Sequence, residues 1–308
     1  MPSSWRRGVP VRDKMSVILE RGTIGMTDFY KYHGLGNDYL VIDPAKFDFT
    51  MNPESVRLIC DRNYGVGSDG ILYGPLGRED GLIRVRIFNP DGSEAEKSGN
   101  GVRIFARYLV EAGYVTSPDF QIDTKGGPVS IHLDAPNGRL MTVSMGVLSF
   151  ESGKIPVKGP NREVLLEPLE VNGQVIRICA ASIGNPHCVV VRDAIDRSLA
   201  LSLGPLIEGH SLFPCRTNVQ FMRVLDRRNI QIEIWERGAG YTLASGSSSC
   251  AAAGVAFKLK YCDPDVRVHM PGGTLDVSIS ADFSVKMRGE VSAVFEGRFA
   301  EEIKKHLR

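Results

Sequence analysis

Two segments of this chain repeat one plan: a strand, a turn, a run of small residues containing Ser and Gly, and then a helix. The first run is Ser98-Gly99-Asn100-Gly101, and the second is Ser245-Gly246-Ser247-Ser248. Their serines, at 98 and 245, stand 147 residues apart in a chain of 308, close to half its length. A chain of this size also sits where a single core stops growing and divides. A duplicated fold with its site between the halves follows.

The local patterns fill in that plan. Phe29 to His33 and Tyr39 to Asp43 read as strands around the turn Gly34-Leu35-Gly36-Asn37-Asp38, and Pro53 opens a helix to about Arg62. Ile83, Val85 and Ile87 alternate with Arg84 and Arg86, the period of a strand with one wet face, and Asn89-Pro90-Asp91-Gly92 turns it. From Gly99 the apolar Val102, Phe105, Ala106 and Leu109 recur at helical spacing, and Gly113 stands where a cap belongs. Short strands near 119–145 are separated by Gly126-Gly127 and Asn137-Gly138. In the second half, strands near 164–191 lead into a Pro- and Gly-rich stretch around 204–214. Strands Asn218 to Leu225 and Ile230 to Trp235 follow, then an Ala-rich helix to about Lys260, more short strands, and a last helix near 299. Strands and helices do not alternate as a parallel sheet requires, so the fold class is α+β with mainly antiparallel strands.

Composition narrows the partners. Lys plus Arg number 37 against 36 Asp plus Glu, and a net charge of +1 gives no general attraction to nucleic acid or an anionic membrane. The longest apolar run, Ala251 to Phe257, is far short of the ~20 residues that span a bilayer. The six cysteines, Cys60, Cys179, Cys188, Cys215, Cys250 and Cys262, are scattered without a C-x-x-C pair, as expected of free thiols in a reducing cytoplasm. Residues 1–25 lack the apolar stretch of a secretory signal and have no clear period; they read as an N-terminal extension without an assigned role.

Several familiar motifs fail on context. Gly65-Val66-Gly67-Ser68-Asp69-Gly70 has the letters of a dinucleotide fingerprint, but it follows a helix and opens a strand, the reverse of what pyrophosphate binding needs. There is no Walker loop and no H-E-x-x-H, the six histidines are dispersed, and no metal is expected. Glu96 and Leu243 stand where a G-x-S-x-G elbow would need glycine, which removes the hydrolase reading of either serine. The two Ser/Gly segments themselves fit an anion site, because free N–H groups at a helix start, lined by glycine, let a carboxylate approach. The same serines are also ordinary N-caps.

The surrounding residues decide between these readings. Lys31-Tyr32-His33-Gly34-Leu35-Gly36-Asn37-Asp38-Tyr39, Cys60 to Gly70, Phe88-Asn89-Pro90-Asp91-Gly92-Ser93-Glu94-Ala95-Glu96, Gly99-Asn100-Gly101, Gly184-Asn185-Pro186-His187, Thr217-Asn218-Val219 and Trp235-Glu236-Arg237-Gly238 together resemble the diaminopimelate epimerases, in order and at fitting intervals, from about Phe29 to Gly297. The resemblance implies two similar pseudo-symmetric domains, each a mainly antiparallel sheet around a central helix, with the active-site cleft between them. The expected division is 26–146, with 292–308 returning to it, and 147–291. It further implies a cofactor-free interconversion of LL- and meso-diaminopimelate, for lysine and peptidoglycan precursor synthesis, in a cytoplasmic homodimer that binds neither nucleic acid nor membrane.

Carried over residue by residue, Asn37, Asn89, Asn185 and Asn218 hold the substrate through their amides. The helix starts at Gly99-Asn100 and Gly246-Ser247 receive its α-carboxylate, and Glu236 and Arg237 read the distal ammonium and carboxylate. Without the resemblance, Glu236 and Arg237 would pass for a surface pair. Gly70 stands where some members carry a glutamine, so nothing transfers there. In the family, two cysteines act as base and acid on opposite faces of the α-carbon; here both positions are serine, Ser98 and Ser245, and Cys250 matches a different family cysteine inside the second helix. Lys97 before Ser98, and Ser247-Ser248 where Thr-Gly is usual, depart as well, so the pair reads as natural divergence.

The exchange matters chemically, because a thiol near pKa ~8.5 ionises with modest help and a hydroxyl does not. Recovering ~4 to 5 units costs on the order of 6 kcal/mol. His187 and Glu236 match the residues that support the family thiols, and they are the expected activators of Ser98 and Ser245. A reaction on another amino acid, including a one-base dehydration, and a silent substrate-binding homologue are the rival readings.

Overall fold

The computed structural model describes residues 27–47, 49, 51–79 and 82–307, so the extension assigned to 1–25 lies outside the described residues. The first half runs β1 (Phe29–Gly34), β2 (Asn37–Ile42), α1 (Pro53–Cys60), β3 (Ile71–Glu79), β4 (Leu82–Phe88), β5 (Glu94–Ala95), α2 (Gly99–Glu111), β6 (Asp119–Thr124), β7 (Gly127–Leu133) and β8 (Leu140–Val147). The second runs β9 (Glu167–Val171), β10 (Gln174–Ser182), β11 (Pro186–Val191), α3 (Arg197–Glu208), β12 (Asn218–Asp226), β13 (Asn229–Glu236), β14 (Gly240–Thr242), α4 (Gly246–Lys258), β15 (Asp265–Met270), β16 (Gly273–Ile279) and β17 (Ser284–Glu290). Then β18 (Ser292–Gly297) and α5 (Glu301–Leu307) follow.

The strand pairings show the duplication directly. In the first half β1–β2, β3–β4, β4–β5, β6–β7 and β7–β8 are antiparallel, while β2–β3 and β4–β6 are parallel. The second half has the same order and senses, with β10 to β17 standing for β1 to β8. The halves join through an antiparallel pairing of β8 with β17. At the outer edges β9 lies on β10, but its counterpart on β1 is β18, which arrives from the far end of the chain. Mainly antiparallel α+β is therefore the observed class.

Each half wraps its sheet around one helix. Ser98 caps α2 by accepting the Gly101 N–H, and the apolar face expected from the sequence, Val102, Phe105, Ala106 and Leu109, is wholly buried. Ser245 caps α4 by accepting the Ser248 N–H, and Ala251, Ala252, Ala253 and Ala256 are buried on all sides of that helix. At the β1–β2 hairpin, only Leu35 and Gly36 lie outside the ladder, both with positive φ (58° and 86°), so Asn37 begins β2 directly opposite Gly34.

One stretch departs from the sequence expectation. The Pro- and Gly-rich segment around 204–214 is not merely a connection, because its first part belongs to α3, with Pro205 inside it. The Asp196 carboxylate caps that helix on the Leu199 N–H, and Ala200, Gly204 and Ile207 form its buried face. Gly204 is there for a close approach, since a β-carbon would stand 2.6 Å from Cγ of Trp235. The first helix also stops at Cys60, with Asp61 as its C-cap, short of the expected Arg62.

Candidate active site

The duplicated plan brings the starts of α2 and α4 together. A β-carbon built on Gly246 would stand 3.5 Å from Cα of Gly99, and Met287 fills the space beside both glycines. Two sets of unspent backbone N–H groups, each at the positive end of a helix, thus converge on one point. The geometry suits a single anion held between them.

The two serines open these helices, and their hydroxyls meet different partners. Ser98 Oγ accepts the Gly101 N–H at 3.0 Å and lies 3.2 Å from the Tyr39 hydroxyl, where either oxygen can donate. Burial pushes the Tyr39 phenol up to about 12, with the Ser98 hydroxyl pulling it down and the Glu236 carboxylate raising it. Ser245 Oγ accepts from Ser248 N–H at 3.4 Å and faces the Glu236 carboxyl at the end of β13. Burial raises the Glu236 pKa above the ordinary glutamate value, and the hydroxyls of Ser245 and Thr242 oppose that rise. One serine therefore stands beside a carboxyl and the other beside a phenol.

His187 occupies a different position. It is completely buried on β11, its Nε2 lies 3.0 Å from Asn185 Oδ1, and among the described residues its Nδ1 has no hydrogen-bond partner. Burial pulls its pKa down to about 3, with the Gln220 amide raising it and the Arg237 charge lowering it, so the imidazole is neutral at physiological pH. Its hydrogen bond is with Asn185, and the hydroxyl partner of Ser98 is Tyr39.

Three of the four amide positions are tied to the helix starts or to the end of β13, and Asn89 is held within its own turn. Asn37 Nδ2 donates to Asp69 Oδ2 at 3.0 Å, and Asn100 Nδ2 donates to Asn37 Oδ1 at 3.0 Å. Asn218 is buried and fixed at both ends, donating to the Pro186 carbonyl at 2.9 Å and accepting the Arg237 N–H at 3.0 Å. Asn185 Nδ2 reaches Ser247 Oγ at 3.5 Å, a link from β11 to the start of α4. Asn89 is half-buried in its turn and donates to Ser93 Oγ at 3.0 Å. The Arg237 side chain is exposed, and its Nη1 donates to the Cys215 carbonyl at 3.1 Å.

Sequence reasoning gave no role to several groups that the fold delivers here. Tyr39 lay inside a quoted motif, yet nothing local marks it as the partner of a serine 59 residues away. Arg103, Lys97 and Asp69 were likewise without a role. Arg103 is wholly buried and Lys97 largely so, with Lys97 Nζ donating to the Met145 carbonyl at 3.3 Å. Burial pushes the neighbouring Cys250 thiol up to about 12, with the charges of Arg103 and Lys97 pulling it down. Cys60, Cys179, Cys188, Cys250 and Cys262 are buried and Cys215 is exposed; none takes the place of Ser98 or Ser245. Among the described residues no three His, Cys, Asp or Glu side chains gather as a metal site would need.

Comparison with known proteins gives a consistent picture. The family model described as diaminopimelate epimerase matches residues 29–151 and again 179–294, one match to each half. The "Diaminopimelate epimerase 2" of a Nostoc species is 54% identical over 276 residues, which cover 89% of this chain and 96% of that protein. The diaminopimelate epimerase of Moorella thermoacetica is 40% identical over 275 residues, 88% of this chain and 98% of that protein. Among solved structures, a hydroxyproline epimerase from Agrobacterium vitis superposes with a TM-score of 0.67 at 14% identity, covering 89% of this chain and 92% of that one. A phenazine biosynthesis protein of the PhzF family from Bacillus anthracis gives 0.62 at 17% identity, covering 89% and 99%. At those identities the structures speak for the fold alone.

Proposed function

The chain belongs to the diaminopimelate epimerase family, and on that premise we propose that it interconverts LL- and meso-diaminopimelate, with Ser245 and Ser98 acting on opposite faces of the α-carbon. The observation that carries the assignment is the meeting of Gly99 and Gly246, each preceded by a hydroxyl that has its own proton partner.

The steps follow from the partners. Glu236 accepts the Ser245 proton as Ser245 Oγ takes the α-proton, and the raised pKa of the carboxyl makes it a better base for a hydroxyl than an ordinary glutamate. The electron pair left on carbon spreads into the α-carboxylate, where N–H groups of both helix starts meet the developing charge. Ser98 gives its proton to the opposite face and is left hydrogen-bonded to the Tyr39 hydroxyl and the Gly101 N–H. In the reverse direction the roles exchange. The reaction needs no pyridoxal phosphate, because the carboxylate itself is the electron sink and the site supplies the stabilisation.

Asn37, Asn89, Asn185 and Asn218 bind the substrate by their amides, and Glu236 with Arg237 reads its distal ammonium and carboxylate. His187, neutral and bonded to Asn185, orients that amide. We assign the domains as 26–146 with 292–308, and 147–291; the lodging of β18 on β1 supports this division. The free cysteines support a cytoplasmic setting, and Val294 and Phe295, exposed on the outer edge strand β18, support pairing of two copies there. The product of such a reaction serves lysine and peptidoglycan precursor synthesis.

The test is solvent deuterium incorporation at the α-carbon of LL-diaminopimelate, followed by chiral separation of the isomers. Incorporation with appearance of the meso form is expected; no incorporation above the enzyme-free rate, by a preparation that binds the substrate, leaves a silent binding protein instead.

A further inference from the structure

Arg103 is the fifth residue after Ser98, and its guanidinium is completely buried. Among the described residues no carboxylate pairs with it, and its Nε–H has no hydrogen-bond partner. Burial pulls its pKa down to about 10, which leaves it charged near neutrality. A buried cation without a counter-charge is costly to keep, and its contacts show what it does there.

Nη2 donates to Asn100 Oδ1 at 2.8 Å, and Nη1 points at the Gly99 carbonyl at 3.4 Å and at Met287 Sδ at 3.5 Å. A guanidinium can only donate, so the Asn100 amide must present its oxygen to Arg103 and its nitrogen to the other side. That nitrogen donates to Asn37 Oδ1 at 3.0 Å, which obliges Asn37 to present its own nitrogen onward. The nitrogen meets Asp69 Oδ2 at 3.0 Å, and this carboxylate also accepts the Asp38 N–H at 3.1 Å and pairs with Arg62 at 2.7 Å. The chain thus has a pure donor at one end and a pure acceptor at the other. Reversing either amide would set donor against donor at one end and acceptor against acceptor at the other.

We propose that Arg103 is a positioning residue: through Asn100 and Asn37 it fixes which way both amides face, leaving each nitrogen a second N–H that can be offered to a carboxylate of the substrate. The carboxylate assignment rests on the epimerase reading; the locking of the amides does not. Each amide oxygen already accepts one hydrogen bond within the chain, and each amide nitrogen has used one of its two N–H groups.

Two measurements separate the two parts. In the ligand-free protein, 15N–1H spectra of the side-chain amides of Asn37 and Asn100 should both shift in Arg103→Met, with partial return in Arg103→Lys. Unchanged Asn37 amide signals in a folded Arg103→Met protein overturn the positioning role, whether or not any substrate binds. By calorimetry with meso-diaminopimelate, Arg103→Met should weaken binding about tenfold, and far less in an Asn37→Ala background, because the effect travels through Asn37. Equal factors in both backgrounds mark a merely structural arginine and overturn the proposal. Should Arg103→Met fail to fold, Asn100→Asp keeps the acceptor for Arg103 and removes the donor to Asn37. It should shift the Asn37 amide signals and weaken binding to a similar degree, and a variant that leaves both unchanged overturns the proposal. Wild-type protein that binds no diaminopimelate counts against the epimerase reading, and the amide spectra still decide the role of Arg103.

Discussion

Gly99 and Gly246 are in contact: the Cα of one stands 3.5 Å from where the other would carry a β-carbon. They are 147 residues apart in sequence and equivalent in the two halves. The absence of side chains leaves the backbone N–H groups of both helices open to the same small ligand.

Gly246→Ala should therefore damage binding more than folding. The added methyl meets Met287 Cε and Sδ at 3.0 Å, the flexible end of a side chain that can move aside. We expect a stability loss of about 1 kcal/mol by urea unfolding and at least a tenfold rise in KM for diaminopimelate. A KM equal to wild type would mean that the substrate does not approach this meeting point.

Tyr39→Phe removes the hydroxyl that lies 3.2 Å from Ser98 Oγ and leaves the ring in its packing. Turnover should fall by about 100-fold, the scale of a lost acid–base partner, while the melting temperature changes little. The same change beside Ser98→Cys should cost much less, since a thiol ionises with less help. Equal losses in both backgrounds would assign Tyr39 to packing.

Ser245→Cys alone should raise kcat by about tenfold or more, because the acceptor of the α-proton then starts from a pKa of ~8.5. Single-turnover measurements with substrate deuterated at the α-carbon locate the gain. A large isotope effect in the serine protein that shrinks in the cysteine variant is expected; a rate unchanged by the exchange would show that proton transfer does not limit the wild type.

Glu236 sets the acid limb of the pH profile. As the base it must be ionised, and burial has raised its pKa, so kcat/KM should rise with pH through a midpoint above the ordinary glutamate range. His187, held near 3, titrates below that limb and contributes nothing to it. The stability linkage has the opposite sign. A raised carboxyl pKa means that the folded protein holds the proton more tightly than the unfolded chain, so this contribution is full at low pH and is lost as pH rises through the folded pKa. Glu236→Gln should therefore gain stability relative to wild type above that pKa, and the gain should shrink in acid.

Much of this arrangement is legible in the chain itself. The caps Ser98 and Ser245, the glycines behind them and the apolar stripe of α2 are local signals, and local signals are what sequence periodicity carries. The segment around 204–214 misleads because Gly204 is read as a turn former, whereas the cause of that glycine is Trp235, 31 residues later, pressed against it. The partnership of Tyr39 with Ser98 and the reach of Arg103 to Asn37 are properties of three-dimensional closure, with no spacing rule to announce them. Arg103 is hidden further by its helix, where a buried arginine at an apolar-looking position has the letter of a surface residue.

The edge strand β18 sets a condition on how the protein is made. Phe29 pairs with Gly297, so β1 waits for a strand made 268 residues later to complete its edge. Until then β1 exposes an unpaired ladder, while the second half, whose own edge strand β9 precedes β10, can close without waiting. Maturation should therefore run against the direction of synthesis, with the later half finished first and the earlier half sealed only once β18 has been made. The cleft, which needs both, is the final product of that order.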